Sequence, residues 1–169
     1  MPETNLPETN LPETNLPETN LNDLMDNTGF TVVNTRRLAY DAERVFDAFA
    51  DPKQLVHWWG PHGFTSSFDT FDFRPGGEWR FTMTSESGKS FDNAKDFIEI
   101  VRPELIVFRH VEPMHDFTMT MRFQDLGAAT LLTWQMDFAP GQDHALKDFI
   151  HNANEQNFDR LETHLRTHP

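Results

Sequence analysis

The sequence has no cysteine, a single tyrosine, and only 14 lysines and arginines against 27 acidic residues. Without cysteine there can be no disulfide scaffold, no thiolate nucleophile and no Cys-ligated metal. The shortage of basic residues, at a formal net charge of -13, argues against nucleic acid as a partner, since a broad electrostatic hold needs clustered Lys and Arg. No apolar run approaches the roughly 18–20 residues that cross a bilayer, so no membrane partner is expected. The first residues lack the basic and apolar regions of a signal peptide, which makes a cytoplasmic location the expectation. Among the eight histidines, His57, His62, His110, His115, His144, His151, His164 and His168, there is no HExxH or similar spacing. No metal site and no cofactor are expected. No Ser-His-acid set or carboxylate pair is visible either, so no catalytic residue is assigned.

What is present divides into two parts. MPETN at 1–5 is followed by LPETN at 6–10, 11–15 and 16–20. Pro2, Pro7, Pro12 and Pro17 block a continuous helix, and one Leu per five residues buries too little surface to offset the entropy of ordering. Residues 1–29 therefore read as a disordered acidic repeat arm. LPET resembles the opening of a sortase sorting signal, but Asn rather than Gly follows the Thr, and no apolar stretch comes after. The arm carries six of the acidic residues and no base, which leaves 21 acids against 14 bases for residues 30–169. Every Phe, Trp and Tyr lies at or beyond position 30, so this second part can build a core.

Within 30–169 the patterning predicts a strand over Phe30–Leu38, then a helix over Ala42–Phe49 capped by Asp41. A short helix follows from Pro52 to about Trp58 and stops at Gly60-Pro61. Six strands come next: Thr65–Phe73, Glu78–Thr84, Phe91–Val101, Glu104–His110, Phe117–Phe123 and Thr130–Phe138. The last two alternate, placing Phe117, Met119, Met121 and Phe123 on one face and Leu132, Trp134, Met136 and Phe138 on one face. A long helix is expected from Asp143 to about Arg166, with apolar residues near a period of 3.6. The order β-α-α-β6-α gives an α+β fold: a curved, antiparallel, seven-stranded sheet around the long C-terminal helix.

The segments DPKQLVHWWGPHGFT at 51–65, FDFRPGGEWRFTM at 71–83, EIVRPELIVFRHV at 99–111, TLLTWQMDF at 130–138 and NEQNFDRLETHL at 154–165 together carry a resemblance. They resemble the family named for homology to the C-terminal domain of the activator of the ninety-kilodalton heat-shock chaperone's ATPase. That family is part of the START-like and Bet v 1-like helix-grip superfamily, and the resemblance spans about residues 30–166. It implies a helix-grip fold with a cavity between sheet and long helix. It does not imply one reaction, since the superfamily holds lipid carriers, hormone receptors, cyclases and oxygenase subunits.

The residues expected to face a ligand are Trp58, Trp79, Phe81, Met83, His110, Met119, Met121, Trp134, Met136 and Asn157. The methionines would adapt to varied apolar shapes. Asn157 falls inside the apolar arc of the long helix, where its amide needs a partner. Asn154 falls beside it, and Glu155 falls on the opposite side. Of Trp58 and Trp59, one is expected inward and the other over the entrance. The expected partner is a small hydrophobic or aromatic molecule, held in a cavity of roughly 300 Å3 or more. A protein-interaction or co-chaperone-like module and a cyclase- or hydrolase-type enzyme are the alternatives, and a homodimer is left open.

Overall fold

The computed structural model describes residues 28–112 and 115–169; the expected arm at 1–29 falls almost wholly outside them. Seven strands form one antiparallel sheet: β1 (Phe30–Leu38), β2 (Thr65–Phe71), β3 (Glu78–Thr84), β4 (Ser90–Val101), β5 (Leu105–Glu112), β6 (His115–Asp125) and β7 (Thr130–Phe138). Their order across the sheet is β1-β7-β6-β5-β4-β3-β2. Three helices complete the described part: α1 (Ala42–Ala50), α2 (Pro52–Trp58) and α3 (Leu146–Thr167). This is the helix-grip α+β architecture read from the sequence.

Local chemistry sets the joints. The Asp41 side chain accepts the Arg44 N–H and caps α1, and the Asp51 side chain accepts the Lys53 N–H and caps α2, where Pro52 has no N–H and needs no acceptor. Register shifts at Phe68/Thr70 in β2 and Phe97/Glu99 in β4 put bulges into two strands of the same half of the sheet. Bulges add twist and bend, which curls that half toward the helices. β7 alternates without a break, with Leu132, Trp134, Met136 and Phe138 buried.

The core sits between the concave face and the helices. Phe46 of α1 meets Phe123 at 5.2 Å, and Phe49 meets Trp79 at 5.7 Å and Phe108 at 6.5 Å between ring centroids. Phe158 of α3 packs edge-on to Trp134 at 4.7 Å. Arg36 of β1 clasps α3 by reaching Glu155, Asp159 and Glu162 at 2.7, 3.0 and 3.1 Å.

Three expectations change. Residues 143–145 form a turn, and α3 starts at Leu146, since the Asp143 side chain takes the Ala145 N–H without opening a helix. The apolar period of the long helix includes Phe149 and so predicts it inward, yet it is 71% exposed, because burial along α3 begins only near Asn154. Glu155 does not face away from the sheet. It accepts from Asn34 Nδ2 at 2.7 Å as well as from Arg36. Burial pushes its carboxyl up, but those hydrogen bonds outweigh it and leave the group below its ordinary value.

Candidate functional site

The loop after α2 is the first wall. Trp59 ends the helix and enters the core, where it meets Trp79 at 5.0 Å, Trp134 at 5.4 Å and Phe49 at 5.7 Å. Trp58 is buried as well and donates its Nε1–H to Ala48 O at 2.9 Å. Both tryptophans therefore point inward, and neither lies on the surface. Gly60 follows with a φ of 104°, in the left-handed region, and a Cβ there would stand 2.8 Å from Met83 Cε. Only glycine fits that turn easily.

Two side chains of α3 hold this loop. Asn157 Nδ2 donates to Trp58 O at 2.8 Å, and Asn157 Oδ1 accepts from Gly60 N at 3.1 Å. Arg160 Nη1 donates to the carbonyls of Trp59, Gly60 and Pro61 at 3.2, 3.0 and 3.1 Å. Burial lowers the Arg160 guanidinium from its ordinary value.

Between this loop, α3 and the sheet lies a cavity of about 130 Å3. Trp59, Gly60 and Pro61 close one side, and Ala153, Asn154 and Asn157 of α3 another. The sheet supplies Met83, Asn93, Lys95, Phe108, Phe117, Met119, Trp134 and Met136. Pro61, Met83, Asn93 and Ala153 are partly exposed and form the rim. The volume is well below the expected 300 Å3, because Trp59 occupies the centre of the grip. It is close to the roughly 150 Å3 that admits one benzene ring.

Lys95 is the charged member of the wall and is only 4% exposed. Five aromatic faces surround it. Its Nζ lies 5.0 Å from the Phe108 centroid, 5.4 Å from Phe81 and Phe117, 5.7 Å from Trp79 and 5.8 Å from Trp59. Such faces attract a cation through the ring quadrupole. Lys95 Nζ also stands 3.1 Å from His110 Nδ1. An ammonium has only N–H bonds to give, so Nδ1 accepts and the imidazole is neutral, with its proton on Nε2. Consistent with this, burial first, then the charges of Lys95 and His115, pushes His110 down to about 2.

Of the ten residues singled out from sequence, Met83, Met119, Trp134, Met136 and Asn157 line the cavity. Trp79 and Phe81 lie one layer away, in contact with Lys95, and His110 stands behind that lysine. Trp58 and Met121 are core residues away from the cavity wall. Sequence reasoning missed Lys95, Asn93 and the cavity role of Trp59. The one available signal for Lys95 was its place two residues before Phe97, on the same face of β4.

A larger groove of about 360 Å3 lies on the outer side of α3, beside His57, His62, His164 and His168. Its polar groups serve the fold: Arg160 holds the loop, and His164 Nε2 meets Gln54 Oε1 at 3.1 Å. Among the described residues no group of three or more metal-ligating side chains is placed to hold a metal ion. No helix among them is long and apolar enough to cross a membrane.

Sheet, bulges and gripped helix define a helix-grip domain of the START-like type, with its cavity under the C-terminal helix. The match to the Activator of Hsp90 ATPase homolog 1-like protein family runs over residues 39–166, and the chain belongs to that family. Similar solved structures share the fold. A protein of Chromobacterium violaceum is 24% identical, with a TM-score of 0.70, over 79% of this chain and 94% of that one. A protein of Nitrosomonas europaea is 22% identical, with a TM-score of 0.74, over 81% and 94%. One from Arthrobacter aurescens is 22% identical, with a TM-score of 0.74, over 84% and 88%. No curated protein matches the chain.

Proposed function

We propose that this chain is a non-catalytic binding domain for a small apolar or aromatic molecule, held between the sheet and the C-terminal helix. The observation that carries this reading is the cavity of about 130 Å3, walled by Trp59, Phe108, Phe117, Trp134 and two methionines of the sheet interior, Met119 and Met136. Native cores are close-packed, with few voids larger than a water, so a space of this size kept beneath a pinned loop supports a ligand. Membership of a family with the START-like fold is compatible with it.

Its volume limits the guest to about one ring, which disfavours a lipid or a polycycle. Native mass spectrometry of the full-length protein as purified tests the reading. A retained molecule of single-ring size supports it. A bare polypeptide, together with no chemical-shift change on titration with toluene, would overturn it.

A further inference from the structure

One carboxamide of the cavity wall has its orientation decided by its neighbours. Asn34 of β1 gives Nδ2 to the carbonyl of His151 at 3.1 Å and to Glu155 Oε1 at 2.7 Å. A carbonyl and a carboxylate only accept, so the nitrogen of Asn34 lies on that side and its Oδ1 is left for Asn154. Asn154 of α3 must then turn its own nitrogen to the sheet. Its Nδ2 donates to Asn34 Oδ1 at 3.0 Å and meets Met136 Sδ at 3.2 Å. The opposite orientation would set oxygen against oxygen and against the thioether sulfur.

The other end of that amide is unspent. Asn154 Oδ1 accepts from no described residue, although Asn154 is only 9% exposed. Among the described residues, the buried side-chain atoms without a partner are Trp79 Nε1, His115 Nδ1, Trp134 Nε1 and His164 Nδ1. Asn154 Oδ1 is not one of them, so it keeps an open face, and the space that Asn154 borders is the cavity. Asn157, the next polar residue of α3 on this wall, spends Oδ1 on the Gly60 N–H and Nδ2 on Trp58 O. On the helix side a guest therefore finds a free acceptor and no free donor. A head with one proton to give fits it, whereas an amine would leave a second N–H bare against an apolar wall. The aromatic and thioether lining suits a flat ring, and the volume admits one.

We propose that the cavity selects a single-ring phenol, its ring against the aromatic and thioether lining and its O–H donating to Asn154 Oδ1. The inference rests on the binding reading above and adds the head group of the ligand to it.

Calorimetric titration of the full-length protein with phenol, fluorobenzene and toluene tests it. The three rings each carry one further heavy atom, and only phenol has a donor. Fluorobenzene and toluene are the more apolar, so burial alone would favour them. The wild-type protein should instead bind phenol about two- to tenfold more tightly than fluorobenzene, the span of one net hydrogen bond. Asn154→Leu, which keeps the bulk of the side chain, should remove that preference and leave toluene within about threefold. The wild-type comparison stands even if the variant does not fold. Fluorobenzene binding as tightly as phenol, or a preference that survives in Asn154→Leu, overturns the phenol inference while toluene binding keeps the cavity reading. A folded variant that loses toluene as fully as phenol makes Asn154 a support of the cavity and overturns its role as acceptor. Failure of all three probes to bind the wild type overturns both readings.

Discussion

Asn157 accepts the Gly60 N–H through Oδ1 at 3.1 Å, and through Nδ2 it donates to the carbonyl of Trp58 on the near side of Trp59. One buried carboxamide thus fixes the backbone on both sides of the tryptophan that fills the grip. Replacing it by leucine strands a donor and an acceptor in the interior, each costing about 1–3 kcal/mol. Asn157→Leu should therefore lower stability by about 2–4 kcal/mol and loosen the Trp59 loop, weakening any ligand with it. Urea denaturation with tryptophan fluorescence measures this. A midpoint equal to wild type would mean that the loop holds without Asn157.

Trp59 sets the size of the cavity. Its ring is packed against Trp79, Trp134 and Phe49 and borders the cavity. Trp59→Ala should cost about 3–5 kcal/mol, as large-to-small changes in cores do. It should also let the protein accept a two-ring compound such as naphthalene, which the wild type is expected to exclude on size. Thermal shift with and without naphthalene reads both effects. Stabilisation of the wild type by naphthalene would show that Trp59 is not the limit.

Much of this arrangement was legible in the sequence. The alternation of β6 and β7 identified Met119, Met121, Trp134 and Met136 as inward, and all four are buried. Asp41 and the Asp51-Pro52 pair announced both short helices through capping chemistry. Lys95 was not legible, for two reasons. Lysine is almost never fully buried, and β4 carries Asp92, Asp96 and Glu99 around it, so the strand reads as solvated. The bulge at Phe97/Glu99 ends the alternation just beyond it, which leaves Phe97 as the one buried neighbour on that face of the strand. On α3 the period located the buried arc but not how far the sheet extends along the helix. Phe149 lies outside as a result, whereas Asn154 and His164 lie inside.

Arg36 binds three carboxylates of α3, spaced four and three residues apart along one helical face. Burial lowers its guanidinium, but the hydrogen bonds to Glu155, Asp159 and Glu162 outweigh this and raise it. All three acids are at least one-third exposed, so solvent screens much of the gain. Arg36→Met should cost about 1–2 kcal/mol at low salt, since the acids would then repel along the helix. Added sodium chloride should narrow the gap to wild type, because the repulsion is screened. Unfolding midpoints at two salt concentrations measure it. A loss that does not change with salt would assign the effect to lost packing over Phe158, whose ring lies 5.5 Å from the guanidinium.

Acid should weaken the fold through two buried histidines. Burial, then the charges of His168, Arg44 and His57, pushes His164 down to about 4, with Asp51 opposing. Burial and Lys95 push His110 down to about 2. In the unfolded chain both rings titrate near about 6.5. Between about pH 6.5 and 4 the unfolded state therefore takes up protons that the folded state refuses, so folding stability rises with pH in that window and falls on acidification. The contribution is fully present above about pH 7, and each histidine adds a slope of up to about 1.4 kcal/mol per pH unit. Below about pH 4 His164 stops contributing and His110 continues. Urea midpoints taken from about pH 7.5 to 4.5 should fall steadily, and His110→Gln or His164→Gln should each remove about one proton from the slope. Stability that stays level from about pH 7 to 5 would mean that neither ring is held neutral.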